Sequence, residues 1–219
     1  MERVNRPVQR LVVVALALVL LVPVGAIGVS QLLGSGGTQQ PAETAENPDD
    51  RPTVDPAEQP PRPELPRPEE PAAMTEQSAE GAQATLTYLL ESYDYMMSSG
   101  DTSVWEDSVD PNCQACVGFL QNTEVLAAQG GYLVGGAFEV TGTSFSGTGE
   151  PPATGTAVAD FTQEESILVD DPSLQAVPLE AESGQMIATL AWDGERWRAT
   201  DLSIVPAGAG ASDAGGAGG

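Results

Sequence analysis

The apolar positions of this chain fall into three regimes. From Leu11 to Leu33 they are nearly continuous, and no charged side chain occurs between Arg10 and Glu43. From Gly34 to Ala73 they almost vanish, with Val54 and Leu65 the only large aliphatic side chains. From Met74 to Pro206 they return, first at helical spacing and then in alternation.

The first regime predicts a membrane span. A helix over the 23 residues of Leu11–Leu33 is roughly 34 Å long at about 1.5 Å per residue, enough for a hydrocarbon core of about 30 Å. Arg3, Arg6 and Arg10 precede it, which keeps residues 1–10 in the cytoplasm and sends the rest outward. A secretory signal has the same order of charge and apolar run, with Pro23 as breaker and Val24-Gly25-Ala26 before a cut. The run continues through Ile27, Val29, Leu32 and Leu33, further than a peptidase substrate needs, so an uncleaved anchor is the expectation. Secretion after cleavage near Ala26 is the alternative. No cysteine follows the run to be acylated.

The second regime, residues 34–73, carries ten prolines among Glu, Asp, Gln and Thr. Proline removes backbone donors and biases its predecessor toward extended geometry. With so little to bury, the expectation is a disordered, stiff spacer of about 3 Å per residue, on the order of 100 Å at full stretch.

The third regime is the folded domain, residues 74–206. Ala79, Ala82, Leu86, Leu89, Leu90, Tyr93, Met96 and Met97 make one stripe on a helix behind Thr75 or Ser78 as cap, ended by Gly100. A short turn holds Val104 and Trp105. A second helix is expected from about Asn112 to Gln129, with Cys116, Phe119, Leu120, Thr123, Leu126 and Ala127 on one face, stopped by Gly130-Gly131.

Everything later reads as strand. Gly136–Phe145 and Thr154–Gln163 alternate, with Ala157, Ala159 and Phe161 sharing a face. Ser166–Val169 is a short run. Gln185–Trp192 and Glu195–Val205 flank Asp193-Gly194, a two-residue hairpin sequence. Trp197 and Ala199 differ in parity from Leu202 and Ile204, so a one-residue bulge near Thr200–Asp201 is required to bring all four inward. Residues 207–219 are Gly, Ala and Ser with one Asp, a composition of disorder.

Helices first and an antiparallel sheet afterwards define an α+β class, with the sheet curved over the first helix. The closing segment Leu190-Ala191-Trp192-Asp193-Gly194-Glu195-Arg196-Trp197-Arg198 resembles the last hairpin of cone-shaped, cystatin-like or nuclear-transport-factor-2-like domains. A closer resemblance joins several features: the export segment, the Pro-rich spacer and the tyrosine-bearing first helix. Asp110-Pro111-Asn112-Cys113-Gln114-Ala115-Cys116 and Gly130-Gly131-Tyr132 complete it. In these the chain is similar to an actinobacterial family of extracytoplasmic domains of unknown function, the DUF6318 family. Members are often lipoproteins, from which this chain departs. The resemblance covers roughly Met74 to Pro206 and implies no activity.

The charge balance narrows the partners. The chain has no lysine and no histidine, a net charge of −24, and no basic residue between Arg67 and Arg196. Phosphate recognition needs clustered Lys and Arg, so nucleic acid is excluded as a partner. Paired acids such as Glu106-Asp107, Glu164-Glu165 and Asp170-Asp171 match no calcium-loop spacing.

Cys113 and Cys116 are the only cysteines, spaced C-x-x-C at a helix start. A redox dithiol would follow a strand, which this pair does not. Structural zinc needs two more ligands, and no histidine or third cysteine exists to supply them. An intrahelical disulfide suits the oxidising side of a membrane and is the expectation.

Without histidine the usual general base is missing, and neither a nucleophile elbow nor a phosphate loop is present. Carboxylate-and-tyrosine chemistry in a cone cavity is the remaining enzymatic reading, with Tyr88, Tyr93 and Asp160 as cavity candidates. The functional expectation is a non-enzymatic binding module of the cell envelope, held by its membrane helix, with no cofactor and no metal. Its partner would be an envelope protein, a peptide or a wall ligand. A carrier or sensor of a small apolar ligand is the alternative, and an isomerase- or hydrolase-type enzyme the third reading.

Overall fold

The computed structural model describes residues 51–148 and 153–207. The expected span at 11–33, the front of the spacer and the tail beyond Ala207 lie outside the described residues. Among the described residues no helix is long and apolar enough to cross a membrane.

The chain order is α1 (Ala79–Glu91), α2 (Tyr93–Ser99), α3 (Ser103–Glu106) and α4 (Gln114–Ala128), followed by seven strands. These are β1 (Tyr132–Gly135), β2 (Phe138–Gly147), β3 (Thr154–Gln163), β4 (Ser166–Val169), β5 (Val177–Leu179), β6 (Glu182–Trp192) and β7 (Trp197–Pro206). All pairings are antiparallel, in a four-stranded sheet ordered β2-β3-β6-β7 and a three-stranded sheet ordered β1-β4-β5. The α+β class read from the sequence is therefore observed, with α1 lying across β2, β3 and β7.

Alternation decides which face is buried. Ala157, Ala159 and Phe161 of β3 meet Met186, Ala188 and Leu190 of β6 on the inner face, all nearly inaccessible. In β7 the register jumps between the pairs Thr189–Asp201 and Leu190–Ala199, leaving Thr200 as the extra residue. Trp197, Ala199 and Leu202 are consequently buried together, with Ile204 packed against the same core. The bulge sits where the parity break required it. Beside it, Asp110 N–H donates to the Ala199 carbonyl and Ala199 N–H to the Ser108 carbonyl, at 2.8 and 2.9 Å.

Four expectations are corrected, three of them within the domain. The first helix is not continuous: it breaks at Ser92, whose hydroxyl donates to the Tyr88 carbonyl at 2.6 Å and accepts from Trp105 Nε1 at 3.1 Å. A buried indole donor needs a partner, and Ser92 supplies it at the cost of helix regularity. The closing turn is not two residues long. Trp192 pairs with Trp197, so the loop is Asp193–Arg196, held by the Asp193 carboxylate accepting from the N–H groups of Glu195 and Arg196. Strands β1 and β5 were not expected, and Gly130 and Gly135, both at positive φ, bracket the first of them.

The spacer is corrected most. Residues 51–73 lie against the domain as a strap. Thr53 pairs with Leu174 in antiparallel fashion, and Val54 N–H donates to the Ser173 carbonyl at 3.0 Å. Gln59 donates to the carbonyls of Pro172 and Leu174, and the Tyr132 hydroxyl to that of Pro60 at 2.6 Å. Arg51 forms a two-pronged pair with Asp170, Arg62 stacks over the Tyr132 ring, and Arg67 reaches Asp101. A 3-10 turn at Ala72–Thr75 then drops Met74 into the core at 1% exposure. Apolar content underestimates this segment because arginines, Gln59 and backbone carbonyls do the docking.

Candidate functional site

Helix α4 starts at Cys113, which forms a disulfide with Cys116 as expected. Cys113 Sγ also accepts from Cys116 N–H at 3.2 Å, the position a capping oxygen takes, and both cysteines are buried. The bridge closes only one helical turn, so the chain-entropy account gives about 2 kcal/mol. It fixes α4 and its Phe119 at the end of the core, and its sulfurs are not presented to solvent.

That end of the core holds an apolar slot of about 60 Å³. It lies where β3 hands over to β4 and β5 to β6, between the two sheets, and is closed by α1 and α2. Tyr93, Trp105, Phe119, Phe138 and Phe161 form its aromatic wall. The Tyr93 ring is edge-on to Phe138 and Phe119, with centroids 5.5 and 6.0 Å away, the arrangement aromatic quadrupoles prefer. Leucines of α1, β1, β4 and β5, with Met97, Met186 and Ile204, complete the apolar lining.

Polar groups on the slot are few: Tyr93, Gln163, Ser166, Glu180 and Glu182. Burial pushes the Tyr93 hydroxyl up to about 12, so it stays protonated at any physiological pH. Glu180 is exposed, whereas Glu182 is half-buried and its carboxyl is shifted upward by burial.

The three tyrosine and carboxylate candidates do not converge. Tyr93 lines the slot; Tyr88 and Asp160 do not. Tyr88 lies beside the strap, at 3% exposure, with its hydroxyl buried and without a hydrogen-bond partner among the described residues. Burial raises its pKa, and the neighbouring Glu70 carboxylate adds to that. Asp160 is exposed on the outer face of β3, where it accepts from Gln185 Nε2 at 2.7 Å. Among the described residues no cluster of three or more His, Cys, Asp or Glu side chains could hold a metal. Asp170 and Asp171, paired in sequence, have separate tasks: one holds Arg51, the other accepts from the Ser173 N–H and hydroxyl.

Sequence reasoning missed most of the slot, because the turns that shape it join elements three or four residues long. The aromatic residues were legible as core, but not as the wall of an opening.

Comparison with known proteins now defines the class. A model described as a family of unknown function (DUF6318) matches residues 54–203, and the chain belongs to that family. The match begins inside the strap, which makes residues 54–73 part of the domain. No curated protein matches the chain. Among solved structures, the chain is similar to the intermembrane-space region of the chloroplast protein ARC6 at 12% identity and a TM-score of 0.44. That likeness covers 59% of this chain and 97% of the other.

Proposed function

We propose that this chain is a membrane-anchored binding module working outside the cell without chemistry of its own, whose ligand seats an apolar group in the Tyr93 slot. The observation that carries the reading is the composition of that slot: an opening walled by aromatic and aliphatic side chains, with a neutral phenol among them. A phenol held above the physiological range is a hydrogen-bonding group and not a base. Asp160, the acid an isomerase would need beside it, faces the opposite side of the sheet. A site that is apolar with a few convergent polar groups is the ordinary form of a small-ligand pocket. The packing of α1 across β2, β3 and β7 of the antiparallel sheet supports a cone of the nuclear-transport-factor-2 type. The anchor rests on Leu11–Leu33 and its three preceding arginines.

The test uses the full chain in zwitterionic lipid nanodiscs, with methyl-labelled methionine. Met97 and Met186 line the slot, while Met74 and Met96 are buried elsewhere in the core. Added hexanol is expected to shift the Met97 and Met186 methyl signals in a saturable way. Leu179→Trp, on the short edge strand at the slot, is expected to abolish those shifts. Signals that stay put, or that move equally at Met74, Met96, Met97 and Met186, overturn the reading.

A further inference from the structure

The carboxylates on the slot stand without counter-charge. Five arginines occur among the described residues, and each is engaged elsewhere. Arg51 pairs with Asp170, Arg67 with Asp101, Arg196 with Glu70 and Arg198 with Asp193. Arg62 lies over Tyr132 and donates to the carbonyls of Gly130 and Gly131. None of these arginines lines the slot, and no ion pair among the described residues reaches Glu180 or Glu182. The acids immediately around add to the same sign: Glu164 and Glu165 flank the lining residues Gln163 and Ser166 in sequence.

Resting on the slot reading above, we propose that the ligand is a cationic amphiphile: an alkyl or aromatic group that fills the slot, carrying an ammonium or guanidinium that meets Glu180 and Glu182. Charge complementarity selects this occupant. A fatty acid or other apolar carboxylate would place like charge against like at the mouth, and like-charge juxtaposition rejects a partner more strongly than a pair attracts one. A neutral hydrocarbon would gain the burial term alone.

Three probes with the same chain and different heads separate the cases: hexylammonium, hexanol and hexanoate. They are titrated onto the full chain in zwitterionic nanodiscs and read at the Met97 and Met186 methyls. Hexylammonium is expected to bind about fivefold tighter than hexanol, the scale of two solvent-exposed ion pairs, and hexanoate weakest. The double variant Glu180→Gln/Glu182→Gln should bring hexylammonium to the level of hexanol and leave hexanol unchanged. Asp160→Asn, which removes an equal charge on the outer sheet face, should alter none of the three. Equal affinities for all three heads overturn the cationic proposal while the slot reading stands. Tighter hexanoate, or a preference that survives the double variant, overturns it likewise. No response to any probe overturns both.

Discussion

The docked strap makes a quantitative demand on one ion pair. Arg51 Nη1 and Nη2 donate to Asp170 Oδ1 and Oδ2 at 2.8 and 2.7 Å, and Nη1 also reaches the Gln175 carbonyl at 2.8 Å. The Arg51 side chain is 19% exposed and that of Asp170 5%. At an effective dielectric of about 20, unit charges that close attract by about 6 kcal/mol. Taking both out of water offsets most of that, and charged hydrogen bonds net about 1.5–3 kcal/mol. Arg51→Ala leaves a buried carboxylate unpaired and is expected to cost about 2–3 kcal/mol. Asp170→Asn costs less, because the guanidinium can turn to solvent. The double variant is expected to show a coupling energy of about 1.5 kcal/mol in a cycle. The assay is urea unfolding followed by tryptophan fluorescence, with Glu-C cleavage after Glu58 as a local readout that should accelerate in Arg51→Ala. A coupling below about 0.3 kcal/mol with unchanged cleavage refutes the reasoning, since a free spacer gives that result.

Two further predictions concern the strap's end and the closing hairpin. Gly81 lies in the first turn of α1, where an added Cβ would collide with the carbonyl oxygens of Glu76 and Ala73. Gly81→Ala should therefore destabilise by at least about 1 kcal/mol in the same urea assay, despite a helix-propensity gain of about 1 kcal/mol. Partial burial works to raise the Asp193 pKa, but Arg198 and the N–H groups of Arg196 and Glu195 outweigh it and hold the carboxyl down to about 2. Its unfolded value is near 4. The contribution is thus complete above pH 4 and lost as pH falls toward 2. Solvent screening at this exposed pair limits it to about 1 kcal/mol. Asp193→Asn should flatten that part of the stability–pH curve, and an unchanged curve between pH 4 and 2 contradicts the assignment.

What the sequence disclosed depended on how many residues carried each signal. Ten-residue strands such as β3 and β7 alternate long enough to fix their faces, and even the Thr200 bulge followed from parity. Reading Asp160 as a cavity candidate goes against that same alternation: with Ala157, Ala159 and Phe161 inward, position 160 points out, and the structure places it there. Strands β1 and β5, four and three residues long, are too short to declare a period. The break at Ser92 has its cause in Trp105, thirteen positions away, and no local pattern reports it. Tyr88 and Tyr93 therefore sit on different helices and face different surroundings. The strap was the largest omission, because guanidinium-to-carboxylate and side-chain-to-carbonyl docking leaves no hydrophobic rhythm to read. The slot combines both problems, being built from short turns and from side chains that any core would contain.

The loop that leans on β7 has a consequence for how copies of this domain meet. An open sheet margin is a template for another chain, and a long unguarded one invites stacking of identical molecules. Here Ser108 and Asp110 occupy the outward N–H and carbonyl of Ala199, near the start of the last strand, with Val109 bridged to it in parallel. The extruded Thr200 next to them spoils the spacing an incoming strand would need. Growth into a ribbon is denied at that point of the margin, and copies that meet there must do so through side chains.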